Sequence, residues 1–308
     1  MAAAENEVNE RELVARAREL FSNRIGDDAA VIGDQVLTTD MLIEDVDFTR
    51  AIPIRFIARK SLAVNLSDLA AMGAKPEYAL LSLALPQWAR DEAEEMFDAY
   101  AEAAKEHAIE IVGGDLSRAD KLTISVTAIG RTKNPLMRSG AKKGDRIYLS
   151  RPIGGAAAGL QLLNVEGSSY AEKEFIKSAV RRHIDPEPEV ELGLKLVGKA
   201  TACIDISDGL STDLHHLCEA SRCGAEIERA RIPIFQDLQA HARALGIDVK
   251  DVVLNGGEEF ALLFTSPMRE AELSSALKRP VYAIGRITEG EVLLDGKPLP
   301  PQGWDHFA

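Results

Sequence analysis

The sequence predicts a mixed α/β chain folded as two α+β domains, over residues 1–137 and 138–308. Short apolar runs of strand character alternate with longer stretches of helical spacing. A polar, turn-rich stretch, Gly140-Ala141-Lys142-Lys143-Gly144-Asp145, divides that alternation into two sets. With 308 residues, 46% of them apolar and 5% aromatic, the chain can fill one large or two medium cores, and two fit the division better.

In the first set, Asn9 followed by Glu12 is a weak capping-box signal, and Leu13, Val14, Ala17, Leu20 and Phe21 then recur at helical spacing. The chain is therefore expected to open with a helix. Apolar runs at 29–32, 35–39, 78–85 and 122–129 read as strands, with helices over 54–72 and 91–107. In the second set, strands are expected at 146–150, 202–206, 225–228, 259–265 and 281–284, and helices at 154–164, 170–182, 190–199 and 211–221. Ala-Ile-Gly-Arg occurs in each set, at 128–131 and 283–286, too short a match to establish a duplication.

A formal net charge of −13, with no block of Lys or Arg, leaves little to attract nucleic acid or an anionic membrane. Phosphate-bearing ligands would need cations to help. The longest apolar run, 78–85, is too short to span a bilayer, and Met1-Ala2-Ala3-Ala4-Glu5-Asn6-Glu7 lacks the basic and apolar regions of a leader. A cytoplasmic location is expected. Cys203, Cys218 and Cys223 are odd in number and show no CxxC spacing, so they read as small core residues. The six histidines show no metal-binding spacing, and the adjacent His215 and His216 read as helix-surface residues. Glu92, Glu94, Glu95 and Glu102 read as the solvated face of an amphipathic helix.

Aspartate is a poor helix or strand former and is seldom buried, so aspartates set among Gly, Ser and apolar residues need a reason. Five such places stand out: Gly26-Asp27-Asp28, Thr38-Thr39-Asp40, Asn65-Leu66-Ser67-Asp68, Gly113-Gly114-Asp115 and Asp205-Ile206-Ser207-Asp208-Gly209. Hard oxygen ligands of this kind suit Mg²⁺, but Asp and Gly are also what turns and helix N-termini prefer, so each patch alone also reads as a turn or cap. Asp68 is the least turn-like, because Ser61, Asn65 and Asp68 share one face of an otherwise apolar helix. Neither a G-x-x-x-x-G-K-[ST] loop nor G-x-G-x-x-G is present, so a nucleotide would be held by another architecture.

Taken in order, these patches resemble the signature series of the thiamine-monophosphate kinase family, within the superfamily of aminoimidazole ribonucleotide synthetase. Arg138-Ser139-Gly140-Ala141, Gly256-Gly257-Glu258 and the ending Gly303-Trp304-Asp305-His306-Phe307 extend the match over essentially the whole chain. The resemblance implies transfer of the ATP γ-phosphoryl group to thiamine phosphate, assisted by several Mg²⁺ ions; a K⁺ requirement is left open. It implies an N-terminal domain whose strands form a β-barrel across a homodimer, a C-terminal α/β domain, and a site in the cleft between them. By motif, Asp28, Thr38, Thr39, Asp40, Asp68, Asp115 and Asp205 match metal ligands around the triphosphate, and Asp208 a further one. Gly114, Asp115, Arg138 and Ser207 match the nucleotide site, with Asp40, Asp68 and Arg138 at the reacting group. Asp47, Glu258 and Trp304 match contacts to thiamine phosphate. The sequence departs from the family pattern at Arg24, at Glu259-Phe260-Ala261 and at Glu189. The rivals are a superfamily enzyme with a different acceptor and a non-catalytic nucleotide or metal sensor; selenophosphate synthesis is disfavoured because the first cysteine is Cys203.

Overall fold

Among the described residues two sheets carry the fold, one of five strands and one of seven, and a long buried helix packs against elements of both halves. The computed structural model describes residues 10–163 and 170–305. Asn9, His306, Phe307 and position 164 of an expected helix lie outside them.

The first half runs α1 (Glu10–Leu20), β1 (Ala30–Ile32), β2 (Gln35–Ile43), α2 (Ile54–Ala71), β3 (Lys75–Leu85), α3 (Gln87–Asp91), α4 (Ala93–Glu106), β4 (Glu110–Arg118) and β5 (Thr123–Arg131). Its strands lie in the order β1-β2-β5-β3-β4, with β3 and β4 parallel and the other pairs antiparallel. The sheet is open within this chain, with β1 and β4 at its edges. On β2, Val36, Thr38 and Leu42 are buried at every second or fourth position, as the strand pleat requires of a face turned to a core.

The second half runs β6 (Arg146–Leu149), α5 (Gly155–Leu162), α6 (Tyr170–Ile184), α7 (Val190–Leu196), β7 (Ala202–Asp205), α8 (Leu210–Ser221), β8 (Gly224–Ile227), α9 (Leu238–Leu245), α10 (Val249–Leu254), β9 (Leu262–Ser266), α11 (Glu270–Leu277), β10 (Tyr282–Thr288), β11 (Val292–Leu294) and β12 (Lys297–Pro298). These strands lie in the order β12-β11-β8-β10-β6-β9-β7, antiparallel except for β8 with β11. β7 and β9 are buried along their whole length, which explains their nearly unbroken apolar reading.

Helix α2 is buried on nearly every side, as an apolar helix without a solvated face must be. It packs on β2 and β5 on one side and on α7 and β7 on the other. Gly193 of α7 makes the second contact possible, because a Cβ there would fall 2.0 Å from the Ala70 carbonyl oxygen. Ala70, Ala71, Leu136, Tyr148, Leu192, Cys203 and Phe264 form the apolar cluster at this seam.

Several expectations shift. The strand expected from 259 begins at Leu262, because Glu258 and Phe260 take left-handed backbone at φ 60° and 48°. The helix expected over 91–107 begins at Ala93 as α4, and Glu92 separates it from the short α3 that precedes it. Strand β4 escapes the periodic reading because it is exposed on both faces at the edge of the sheet.

Candidate active site

The site is built where α2, β2, β7 and the turn before β1 converge. On β2, Thr38 and Asp40 are two residues apart and therefore point to the same face, toward α2. From α2, Asn65 and Asp68 point back at them: Asp40 N–H donates to Asn65 Oδ1 at 3.1 Å, and the Thr38 hydroxyl donates to Asp68 Oδ2. Ser67 faces the other half, where its hydroxyl donates to Asp205 Oδ2 at 2.5 Å at the end of β7. Asp28, Asp68 and Asp205 each offer a carboxylate oxygen, and these oxygens lie within 4.8 Å of one another. Of the polar helix face read from sequence, Ser61 has a different partner, the buried Tyr100 hydroxyl at 2.7 Å.

One cation is fixed against this cluster. Arg138 places Nε at 3.0 Å and Nη2 at 2.6 Å from Asp28 Oδ1, while its backbone N–H donates to Asp27 Oδ1 at 3.1 Å. A single guanidinium does not neutralise the five nearby carboxylates of Asp27, Asp28, Asp40, Asp68 and Asp205. Burial, followed by the charge of neighbouring aspartates, pushes the Asp68 carboxyl well up and brings Asp205 to about 7. Asp28 and Asp40 are raised chiefly by burial, and Asp27 rises to about 6 through burial and the charge of Asp28. Asp28 Oδ2 is buried with no hydrogen-bond partner among the described residues. An orphaned buried carboxylate oxygen inside a set of converging carboxylates fits a hard divalent cation such as Mg²⁺.

Thr39 and Asp115 are not gathered into this cluster. Across the sheet, Asp40 stands in the row Asp40–Val126–Leu81–Gly114, whereas Asp115 stands one row away in Met41–Ser125–Ser82–Asp115 and is exposed. Adjacent rows point to opposite faces, so Asp115 and Thr39 belong to the outward face of the sheet. There the Thr39 hydroxyl donates to Val126 O at 3.1 Å and receives the Thr127 hydroxyl at 3.2 Å. Gly114 has φ 153°, and a Cβ on it would fall 1.7 Å from Leu81 O, so that position admits only glycine.

The remaining expected residues lie around the β7–α8 turn and after β2. Asp208 shares a possible metal-holding group with Asp213 and His216. Asp213, nearly fully buried, also accepts the N–H groups of Asp208 and Gly209 at 3.2 and 3.0 Å, and so shapes the turn. Trp304 N–H donates to Asp208 O at 3.0 Å, and Glu258 N–H to Ser207 O at 2.7 Å. These two bonds bring two of the three expected acceptor contacts, Glu258 and Trp304, onto one turn. Asp47 Oδ2 accepts Ile43 N–H at 2.7 Å, closing the turn after β2, and its charge adds to the rise at Asp40.

Sequence reasoning assigned no site role to Asp213 or His216, and it read His216 as surface. Their spacing in Ser207-Asp208-Gly209-Leu210-Ser211-Thr212-Asp213 is the available signal, since it returns Asp213 to the turn that α8 leaves. Two of the three departures from the family pattern fall on structural contacts. Glu259 Oε1 accepts Gly154 N–H and Ala156 N–H, each at 2.8 Å, and Glu189 pairs with Arg279 at 2.8 Å.

Two domains of this topology, with a carboxylate-lined seam, define an AIR synthase related protein. Family models for the N-terminal and the C-terminal domain of AIR synthase related protein match residues 26–132 and 142–294. Curated thiamine-monophosphate kinases are similar over most of their length. That of Aquifex aeolicus is 35% identical, covering 94% of each chain. That of Bacillus subtilis is 37% identical over 92% of this chain and 93% of its own. The solved complex "AaThiL complexed with AMPPCP and TMP" superposes with a TM-score of 0.90 at 34% identity, covering 97% of both chains. The chain belongs to the thiamine-monophosphate kinase family. Among the described residues no helix is long and apolar enough to cross a membrane.

Proposed function

We propose that this chain transfers the γ-phosphoryl group of ATP to thiamine phosphate, yielding thiamine diphosphate and ADP. The observation that carries the proposal is the meeting of Asp28, Asp68 and Asp205, from three distant chain segments, in a member of this kinase family. AMPPCP is a non-hydrolysable ATP analogue and TMP is thiamine monophosphate, so the related complex pairs an analogue of the donor with the acceptor.

In this reading an oxygen of the acceptor's terminal phosphate attacks the γ-phosphorus, the bond to the β–γ bridging oxygen breaks, and ADP leaves. The attacking oxygen is already anionic, so no strong base is asked of the protein; alignment and charge neutralisation are. Asp28, Thr38, Asp40, Asp68 and Asp205 would hold Mg²⁺, which when bound offsets the repulsion between donor and acceptor phosphates. Arg138, fixed by Asp28, supplies a second positive charge beside the phosphates. Gly114 and Ser207 would contact the nucleotide, Asp208 a further ion, and Asp47, Glu258 and Trp304 the acceptor.

Thr39 and Asp115 share the outward face of the first sheet but stand on β2 and β4, three strands apart, so they would hold no common ion within one chain. That face and the β4 edge expose Met41, Tyr78, Leu80, Val112 and Leu116, which supports a homodimer whose two sheets close into a barrel. We place the domain boundary at 138 and the protein in the cytoplasm. Incubation of the purified chain with Mg-ATP and thiamine phosphate, followed by chromatography, tests the activity: thiamine diphosphate and ADP should form in equal amounts, and their absence from a folded preparation would refute it.

A further inference from the structure

Beside the aspartate cluster, the seam between the halves holds a second buried charged arrangement. Lys60 of α2 has a side chain only 1% exposed, and its Nζ lies 2.5 Å from Glu258 Oε1. From the other direction His183 near the end of α6, 2% exposed, places Nδ1 at 3.0 Å from Glu258 Oε2. Each carboxylate oxygen of one glutamate thus lies at ion-pair distance from a buried residue of a different helix, and neither Lys60 Nζ nor His183 Nδ1 has a hydrogen-bond partner among the described residues.

Burying a lysine is costly unless it is paired, and the partner here is the one member of the trio that reaches solvent, with 31% of its side chain exposed. Burial alone would raise the Glu258 carboxyl, but Lys60 and His183 outweigh it and hold it at about 2. The backbone is constrained as well. Glu258 has φ 60°, a conformation costly for a residue with a side chain, and its N–H is tied to Ser207 O at 2.7 Å. A Cβ on the preceding Gly257 would fall 2.4 Å from Ser207 O, so the loop is pressed directly onto the β7–α8 turn.

We infer that Lys60 and His183 are positioning residues that grip the two oxygens of Glu258 and fix it for contact with the thiamine end of the acceptor. This rests on the reading of Glu258 as an acceptor contact. The clamp has a geometric consequence. Lys60 and Ser67 are seven residues apart on one face of α2, about 10 Å along the axis, and Ser67 holds Asp205. One rigid helix therefore sets the spacing between the residue that meets the thiamine end and the carboxylates that meet the phosphate end.

Steady-state kinetics of the full-length protein, with ATP and thiamine phosphate varied separately, test the inference. Glu258→Gln, Lys60→Met and His183→Asn should each raise the KM for thiamine phosphate about tenfold while shifting that for ATP less than about twofold. Lys60→Met and His183→Asn, each combined with Glu258→Gln, should be no worse than Glu258→Gln alone, because both act through that carboxylate. Additive losses in the double variants, or KM values for the two substrates that rise together, would overturn the clamp while leaving the Glu258 reading in place. An unchanged KM for thiamine phosphate in Glu258→Gln would overturn that reading and the clamp together. Should Lys60→Met fail to fold, the His183→Asn cycle carries the same test from the α6 side.

Discussion

Ser67 Oγ donates to Asp205 Oδ2 at 2.5 Å, so a hydrogen bond that crosses from one half of the molecule to the other ends on a carboxylate of the candidate site. The bond does two things: it orients Asp205 within reach of Asp28 and Asp68, and it favours the ionised form of a group that burial pushes toward neutrality. Ser67→Ala should therefore cost about 1.5 to 3 kcal/mol of stability, as for a hydrogen bond to a charged group, and raise the Mg²⁺ concentration needed for half-maximal turnover. Denaturant melts and a Mg²⁺ titration of turnover check both.

Without a cation, Asp28, Asp40, Asp68 and Asp205 oppose one another in a buried space. Asp68→Asn removes one of these charges at nearly constant shape. In metal-free buffer the variant should be more stable than the parent by about 0.5 to 2 kcal/mol. Added Mg²⁺ should raise the parent's Tm and move that of the variant much less, which calorimetry would read directly.

The same groups give a pH dependence of defined sign. Asp27 and Asp205 rise from an ordinary 3.8 to about 6 and about 7, so between pH 4 and 7 the folded chain binds more protons than the unfolded one. Stability of the metal-free protein should therefore fall as pH rises through that window. Glu258 works in the opposite sense, but its contribution is lost only as pH falls below its ordinary 4.5 toward about 2. Tm measured from pH 5 to 8 in chelator should decline, and saturating Mg²⁺ should flatten the slope.

Arg138→Met leaves Asp28 Oδ1 without its guanidinium partner in a buried setting. Breaking a buried pair from one side typically costs about 3 to 5 kcal/mol. Reversal of part of that loss by Arg138→Met combined with Asp28→Asn, seen in denaturant melts, checks the pairing independently of activity.

Most of the aspartates were legible because they sit within two residues of Gly, Ser or Thr beside an apolar run, where packing gives no reason for a charge. Asn65 and Asp68 were legible as a polar face on α2. Lys60 and Ser67, on an adjoining side of that helix, were not, because nothing local says that a second sheet covers it. Strand parity, by contrast, does separate Thr39 from Thr38 and Asp40, yet the family motif reads all three as one patch. Asp213 and His216 lie inside an ordinary helical pattern, and only the left turn at Gly209, φ 128°, brings them back toward Asp208.

The central claim is that carboxylates from separate segments jointly hold the cation that phosphoryl transfer requires. Turnover of Asp40→Asn under saturating Mg-ATP and thiamine phosphate tests it most directly, with circular dichroism and melting confirming the fold. A fall of about 10³-fold or more is the result this account predicts. Turnover equal to that of the parent across the Mg²⁺ titration would contradict it.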